Sequence, residues 1–363
     1  MNPRWYYPDT YTLKGALFGS GQVTRYHMRA WQSIKNVEIV AVANRTIEKA
    51  QQLADEFGID KQKVYASHET LLNKEEIDFV DIATAPQVHF QQVMDAAVKK
   101  VHILCQKPFS TDITTAEEMI DQAERAGILL GVNENWRWRS WYRELKRLLE
   151  QEIVGHPRYL YIRRHNNATL NTNDNNAPTL LIKQPYTADL EKLLLFEWGI
   201  HIIDVTRFLF GEPECVYTST LKVSTQFKGE DRAVIIFDYA DRYAVLDLSW
   251  SSVSHEEQVS LLEQVIIEGD GGCIKILPDE DHNIHISTRE LSQSIPAYTF
   301  SDSEEYQMSY TRAQNNFIEC LRTGCYPETH ARDNLKTLTA LFAAYQSSDS
   351  KTSCRLKGDD YPK

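Results

Sequence analysis

Several features are missing from this sequence of 363 residues. No apolar run reaches ~18 residues without a charge, so no transmembrane helix is expected. The opening Met1-Asn-Pro-Arg-Trp-Tyr-Tyr-Pro8 lacks the apolar segment of a secretory signal, and a cytoplasmic location is expected. Basic excess is lacking too: 39 Lys and Arg against 51 Asp and Glu leave a net charge of −12. That balance argues against nucleic acid or an anionic membrane as partner. Six cysteines (105, 215, 273, 320, 325 and 354) form no Cys-x-x-Cys and no Cys/His metal spacing, so no metal site is expected. They read as reduced, small buried side chains. No internal repeat is visible.

What is present is a soluble globular composition, 42% hydrophobic and 25% charged. The length exceeds one ordinary core and predicts two domains. Residues 193–211 are apolar almost all round a helical wheel and predict a buried helix, stopped by Gly211 and Pro213. Glu197, His201 and Asp204 sit in it at i, i+4 and i+7, on one stripe. An unpaired ionisable group on such a face costs several kcal/mol, so these three are either paired or used. Gly199 leaves the backbone bare there, as a close ligand requires.

The first third alternates strand and helix, which predicts a doubly wound parallel sheet. Leu13–Phe18 reads as a buried strand that runs into Gly19-Ser20-Gly21-Gln22-Val23-Thr24 and then a helix. In that order a G-x-G-x-x-G-like turn binds a dinucleotide: Gly19 permits the turn, and Gly21 lets the backbone approach a pyrophosphate at the helix start. Thr24 replaces the last small residue and predicts looser helix–strand packing. The second strand, Val37–Ala43, ends in Asn44-Arg45-Thr46. Asn44 there lacks the carboxylate that selects NAD, and Arg45 matches a 2′-phosphate, so NADP is the expected cofactor with NAD the alternative. Thr46 equally suits the N-cap of the next helix. Later strands end at Thr84, followed by Pro86 and His89, and at Gln106-Lys107-Pro108. Ligands bind at the carboxyl ends of strands in open α/β sheets, so Thr84, Pro86, His89, Gln106 and Lys107 join Gly19, Ser20, Gly21, Gln22, Val23, Asn44 and Arg45 as candidate cofactor contacts.

These pieces resemble the Gfo/Idh/MocA oxidoreductases (glucose–fructose oxidoreductase, inositol dehydrogenase and relatives). The resemblance spans nearly the whole chain. It rests on the 19–24 turn, on Gln106-Lys107-Pro108 where the family has Glu-Lys-Pro, and on Glu197 to His201 where it has Asp-x-x-x-His. It implies an N-terminal Rossmann domain joined to a C-terminal α/β domain with a large open, mainly antiparallel sheet. It also implies that Lys107, Glu197 and His201 line the site beside the nicotinamide, with a cis peptide before Pro108. Cys105–Pro108, Glu134–Trp138, Gln184-Pro185, Lys228–Asp231 and Asp333–Thr337 are similar to the aldose dehydrogenase branch of the family.

The expected domains are 1–134 for the dinucleotide and 135–331 for substrate and oligomerisation, with a last helix at 332–348 crossing back to the first. The second domain shows strand-like runs from Val216 to Thr288, separated by turns that include Pro278–Asp281, which predict an antiparallel meander. One of its faces is expected to pack on a second copy, as a homodimer or homotetramer. The Asn-rich 166–176 tract reads as a loop, either an inert insertion or a lid. The aromatic segment Trp136–Tyr142 either stacks on sugar or packs the junction between domains. Asn135, Arg137 and Gln184, with Lys107, Glu197, His201 and Asp204, are candidate substrate contacts. The expected activity is oxidation of a monosaccharide or polyol hydroxyl, with His201 as general base and Lys107 stabilising the alkoxide. An NAD-dependent glycoside-cleaving enzyme and a non-catalytic cofactor sensor are the alternatives.

Overall fold

The computed structural model describes residues 5–172, 175–253, 263–277 and 282–356. It divides into two compact units, Met1–Trp138 with Tyr306–Lys336, and Arg139–Glu305 with Thr337–Lys363.

The first unit is built on strands β1 (Leu13–Phe18), β2 (Val37–Ala43), β3 (Val64–Tyr65), β4 (Phe79–Ile82), β5 (His102–Gln106) and β6 (Leu130–Asn133). Between them run helices α1 (Thr24–Ser33), α2 (Ile47–Phe57), α3 (His68–Lys74), α4 (Pro86–Val98) and α5 (Ile113–Ala126). The sheet order is β3-β2-β1-β4-β5-β6, and every pairing is parallel. Strand order reverses between β1 and β4, which makes their carboxyl ends the switch point where such sheets bind ligands. The strands are apolar on both faces because helices cover both: Leu13, Ala16, Leu17, Phe18, Phe79, Val80 and Ile82 are all buried. α2 and α5 stop at Gly58 and Gly127 in the left-handed region (φ 74° and 70°), the residue type that such a stop favours.

The second unit starts with α6 (Ser140–Glu150) and β7 (Pro157–His165), then a short hairpin of β8 (Asn171–Thr172) and β9 (Asn175–Pro178). α7 (Thr179–Lys183) and α8 (Ile200–Phe210) precede β10 (Cys215–Leu221), β11 (Arg232–Asp238), β12 (Tyr243–Ser249), β13 (Gln264–Gly269), β14 (Gly272–Ile276), β15 (Asn283–Thr288) and β16 (Ser292–Pro296). Two long helices, α9 (Asp302–Thr323) and α10 (Ala331–Ser350), and the edge strand β17 (Cys354–Arg355) complete the described chain. The Asn-rich tract, expected as a loop, thus carries the β8–β9 hairpin, while residues 173–174 lie outside the described residues. The expected turn Pro278–Asp281 also lies outside them.

The nine-stranded sheet runs β16-β15-β14-β13-β7-β12-β11-β10-β17. This corrects the simple meander: β7 lies between β13, to which it is antiparallel, and β12, to which it is parallel. Alternation along each strand reveals which side chains share a face, but not which strand lies beside which. Ala233, Ile235 and Phe237 of β11 point inward, and Val234 and Ile236 outward. The outward row continues across the sheet as Tyr217, Ile236, Val245, Tyr161 and Ile266.

The units differ from the expected division in the C-terminal helices. Phe317, Ile318, Cys320 and Leu321 of α9 belong to the same core as Leu17, Trp31 and Phe79, so that stretch goes with the first unit. The later turns of α10 go with the second, where Ser347 Oγ accepts from Thr218 N at 3.0 Å. Cys320 and Cys325 are joined as a disulfide, which corrects the reading of all cysteines as thiols. Gly324 (φ 73°) turns the chain back after α9 and brings their Cα atoms to 4.7 Å. Among the described residues no helix is long and apolar enough to cross a membrane.

Candidate active site

In the first unit the glycine turn leads from β1 into α1. Gly19 has φ 105°, and a Cβ there would lie 2.5 Å from the Ala83 carbonyl oxygen, so only glycine fits. At Gly21 a Cβ would meet nothing within 4 Å, which leaves open space over exposed backbone. Ser20 and Val23 are half-buried and Gln22 exposed around that space. Val23, at the N-cap of α1, makes no side-chain cap bond, and the first turn is closed by backbone alone, Thr24 N on the Gly21 carbonyl at 3.3 Å and Tyr26 N on that of Val23 at 3.0 Å. This open cradle fits the pyrophosphate of a dinucleotide. Thr24, expected to loosen the packing, is fully buried, and its hydroxyl donates to the Gly21 carbonyl at 2.5 Å. α1 is tied to the sheet from below: Asp81 Oδ2 meets His27 Nδ1 at 2.8 Å and accepts from Trp31 Nε1 at 2.7 Å.

At the end of β2, Asn44 Nδ2 donates to the Thr46 carbonyl at 2.7 Å and holds the turn. Thr46 stands at the N-cap of α2 but makes no side-chain cap bond. Arg45 is exposed. Thr84 Oγ1 donates to Gln92 Oε1 at 2.6 Å, and Pro86 occupies the first turn of α4, where a missing N–H costs nothing.

His89, a candidate cofactor contact, is engaged within the protein. Its ring is fully buried, with Nε2 3.0 Å from the Thr84 carbonyl and Nδ1 3.3 Å from that of Phe109. Burial lowers its pKa to about 4, against the opposing pull of those carbonyls. His89 thus joins the ends of β4 and β5. Beside it, Gln106 is buried at the end of β5, Lys107 is half-buried, and the Lys107–Pro108 peptide is cis.

Two candidate substrate contacts of this unit are engaged internally. Asn135 is buried and donates to Ser309 Oγ at 2.7 Å. Arg137 is buried, ion-paired with Asp333 at 3.0 Å and bonded to the Glu328 carbonyl at 3.2 Å. Both fasten the segment after β6 to α9 and α10, a tertiary use that local sequence does not display. The rings nearby pack on protein: Trp136 meets Tyr306 edge-on at 6.3 Å.

In the second unit the expected uninterrupted α-helix over 193–211 begins instead as a π turn, Leu195–Gly199, and continues as α8. Ile200 N donates to the Leu195 carbonyl, the i→i+5 bond of such a turn. Glu197 lies in the π turn, half-buried, and His201 follows in the first turn of α8, 4% exposed. Gly199 serves packing rather than a ligand's approach: a Cβ there would lie 2.8 Å from Leu195 Cδ2 and 3.4 Å from Leu248 Cδ1. Asp204 is fully buried, accepts from Thr337 Oγ1 at 3.0 Å, and lies 3.9 Å from Arg207 Nη1. Arg207 in turn forks onto Glu212 at 2.9 and 2.6 Å. That network ties Asp204 and Arg207 into the packing of the helix. Gln184 is half-buried and accepts from Tyr186 OH at 3.0 Å. Trp141 packs on Tyr298 at 5.5 Å, protein packing again.

A parallel sheet with an open glycine cradle, followed by a second unit on a broad mixed sheet, is the architecture of a dinucleotide-dependent oxidoreductase. The chain belongs to the Gfo/Idh/MocA oxidoreductase family: residues 13–134 match its NAD-binding Rossmann fold and residues 193–356 its C-terminal alpha/beta domain. It is 34% identical over 352 residues to a D-apiose dehydrogenase of Paraburkholderia graminis, covering 95% of this chain and 90% of that one. A D-apiose dehydrogenase of Rhizobium rhizogenes is 29% identical over 92% of this chain and 95% of its own. Among solved structures, an oxidoreductase from Agrobacterium radiobacter in complex with NAD+, L-tartaric acid and magnesium superposes with a TM-score of 0.87 at 28% identity. That match covers 95% of this chain and 98% of the other.

Proposed function

We propose that the protein oxidises a hydroxyl of a monosaccharide or related polyol, with Lys107, His201 and Glu197 as its catalytic residues. The observation that carries this reading is the half-buried Lys107 beside a cis proline at the carboxyl end of β5. It stands in a chain 34% identical to a D-apiose dehydrogenase over 95% of its length. A bound nicotinamide dinucleotide supplies the hydride acceptor, and the protein supplies geometry and proton transfer. His201 takes the proton of the reacting hydroxyl as general base, since imidazole titrates near neutral pH. Lys107 donates a hydrogen bond to the same oxygen and stabilises the negative charge that develops on it. Glu197 orients His201 or receives a second hydroxyl.

NADP is the proposed cofactor, with Gly19–Val23 at the pyrophosphate and Asn44-Arg45 at the adenosine ribose. The solved neighbour with NAD+ makes NAD the competitor. The test is absorbance at 340 nm with each cofactor across pentoses, hexoses, branched sugars and cyclitols. Stoichiometric reduced cofactor with one substrate group supports the reading, and silence with cofactor binding intact overturns it.

Assembly through the outer face of the nine-stranded sheet is part of the proposal. Tyr217, Val234, Ile236 and Tyr243 are 38–50% exposed on neighbouring strands, the kind of contiguous apolar patch that a second copy covers. Ile236→Lys is expected to shift the sedimentation coefficient to that of a smaller species. A sedimentation coefficient unchanged by I236K would refute this interface.

A further inference from the structure

The helix that carries Glu197 and His201 starts with backbone N–H groups at Leu193, Leu194, Leu195 and Phe196, which no earlier turn can satisfy. The first intrahelical bond there is Glu197 N to the Leu193 carbonyl, 2.9 Å. Two residues distant in sequence meet all four. The Glu230 carboxylate accepts from Leu193 N at 3.1 Å through Oε2 and from Leu195 N at 2.9 Å through Oε1. Its backbone carbonyl accepts from Leu194 N at 3.1 Å. Tyr345 OH accepts from Phe196 N at 3.1 Å and donates to Glu230 Oε1 at 2.7 Å.

Ordinary caps are a Ser, Thr, Asp or Asn one position before the helix. Here the cap lies 37 residues on, and the neighbouring residues are shaped to bring it in. A Cβ at Gly229 would stand 2.7 Å from Leu193 Cβ and 2.8 Å from the Leu190 carbonyl oxygen. Asp231 pins the far side of the same segment, accepting from Val223 N at 2.8 Å, Ser224 N at 2.9 Å and Thr169 Oγ1 at 2.9 Å. Lys192 Nζ sits over the Tyr345 ring, 5.4 Å from its centroid. A carboxylate at a helix start is also favoured by the dipole. Burial raises the Glu230 pKa, while the N–H groups of Leu195, Leu193 and Glu230 itself, with Tyr345, pull it down.

We propose that Glu230, seconded by Tyr345, is a positioning residue: it fixes the axial position and rotation of the π turn, and through it the aim of Glu197 and His201. The proposal rests on the reading that those two residues act on a sugar hydroxyl. Helix starts of this kind tolerate little slack, because about 1 Å of misplacement at a reacting group costs roughly 10²-fold in rate.

The test uses the full chain in three variants, Glu230→Ala, Glu230→Gln and Tyr345→Phe. It reads hydrogen exchange of the 193–196 amides together with kcat and both KM values. In E230A those amides exchange faster and kcat falls roughly 10²-fold, while the cofactor KM stays within about twofold, since the cofactor cradle belongs to the other unit. E230Q keeps an acceptor oxygen and recovers part of kcat. Y345F, which removes one acceptor and leaves the carboxylate, falls between wild type and E230A. A folded E230A with wild-type exchange and kcat overturns the proposal. So does a kcat that falls only in step with the folded fraction. If E230A does not fold, Y345F with unchanged exchange at Phe196 overturns it. If the wild type oxidises no sugar, the functional reading fails by itself, and the exchange of 193–196 still decides whether this cap holds the turn.

Discussion

α1 begins at Thr24 behind Val23, which makes no side-chain cap bond. The π turn at Leu195 begins with its N–H groups engaged by Glu230 and Tyr345. No side chain caps the first helix start, and at the second, side chains from far along the chain do. They differ because they do different work. A start that binds through backbone has only to be open, and open space at Gly21 meets that need. A start that presents side chains has to be aimed, and aiming takes groups that reach in from elsewhere.

The largest effects separate these two kinds of contribution. Lys107→Met and His201→Ala are each expected to lower kcat by about 10²–10⁴-fold, the range for a lost proton-transfer or oxyanion-stabilising group. Cofactor affinity, set by the open start of α1, is expected to stay within a few-fold of wild type. Stopped-flow reduction at 340 nm and cofactor titration by fluorescence check the pair. Wild-type turnover in both variants would remove the second helix from the chemistry.

This contrast also explains how much was readable in advance. Gly19 and Gly21, the strand–helix alternation, the stop at Gly211 and the apolar 193–211 run were legible because each is a local demand of backbone or periodicity. Less was visible where the demand is tertiary. Gly199 is small because of Leu195 and Leu248, and Leu248 lies on a strand far along the chain. Asn135, Arg137 and Asp204 look like free polar candidates in sequence, yet Ser309, Asp333 and Thr337 engage them. The Cys320–Cys325 bridge depends on the turn at Gly324, and the place of β7 between two hairpin sets has no local signature.

The supports of the two regions are also expected to respond oppositely to pH. In the first unit burial lowers His89 and His102 from 6.5 to about 4. His102 Nδ1 accepts from Leu129 N at 2.9 Å, a bond that protonation of that nitrogen removes. Between those two values the unfolded chain binds more protons, so stability is lost as pH falls from about 6.5 towards 4, by up to about 3 kcal/mol per histidine. In the second unit the Glu230 pKa is raised by burial. Its contribution is present below the ordinary carboxylate pKa and is lost as pH rises through the raised one. Urea midpoints across this range are expected to change less steeply on the acid side in His102→Gln, and less steeply above it in E230Q. Identical profiles for wild type and both variants would break the comparison.

The smallest effect concerns the adenosine end of the cradle. Asn44 turns its side chain inward onto the Thr46 carbonyl and shapes the turn after β2. Arg45 is exposed beside it and makes no ion pair among the described residues. A guanidinium so placed suits a 2′-phosphate, and a hydrogen bond to a charged group is worth about 1.5–3 kcal/mol. Arg45→Ala is therefore expected to lower the NADP/NAD ratio of kcat/KM by roughly tenfold or more, almost wholly through the KM for NADP. Because NAD lacks the 2′-phosphate that Arg45 would hold, its loss leaves kcat with NAD at the wild-type value. A ratio that does not move would assign the cradle to NAD and leave Arg45 as a solvated surface charge.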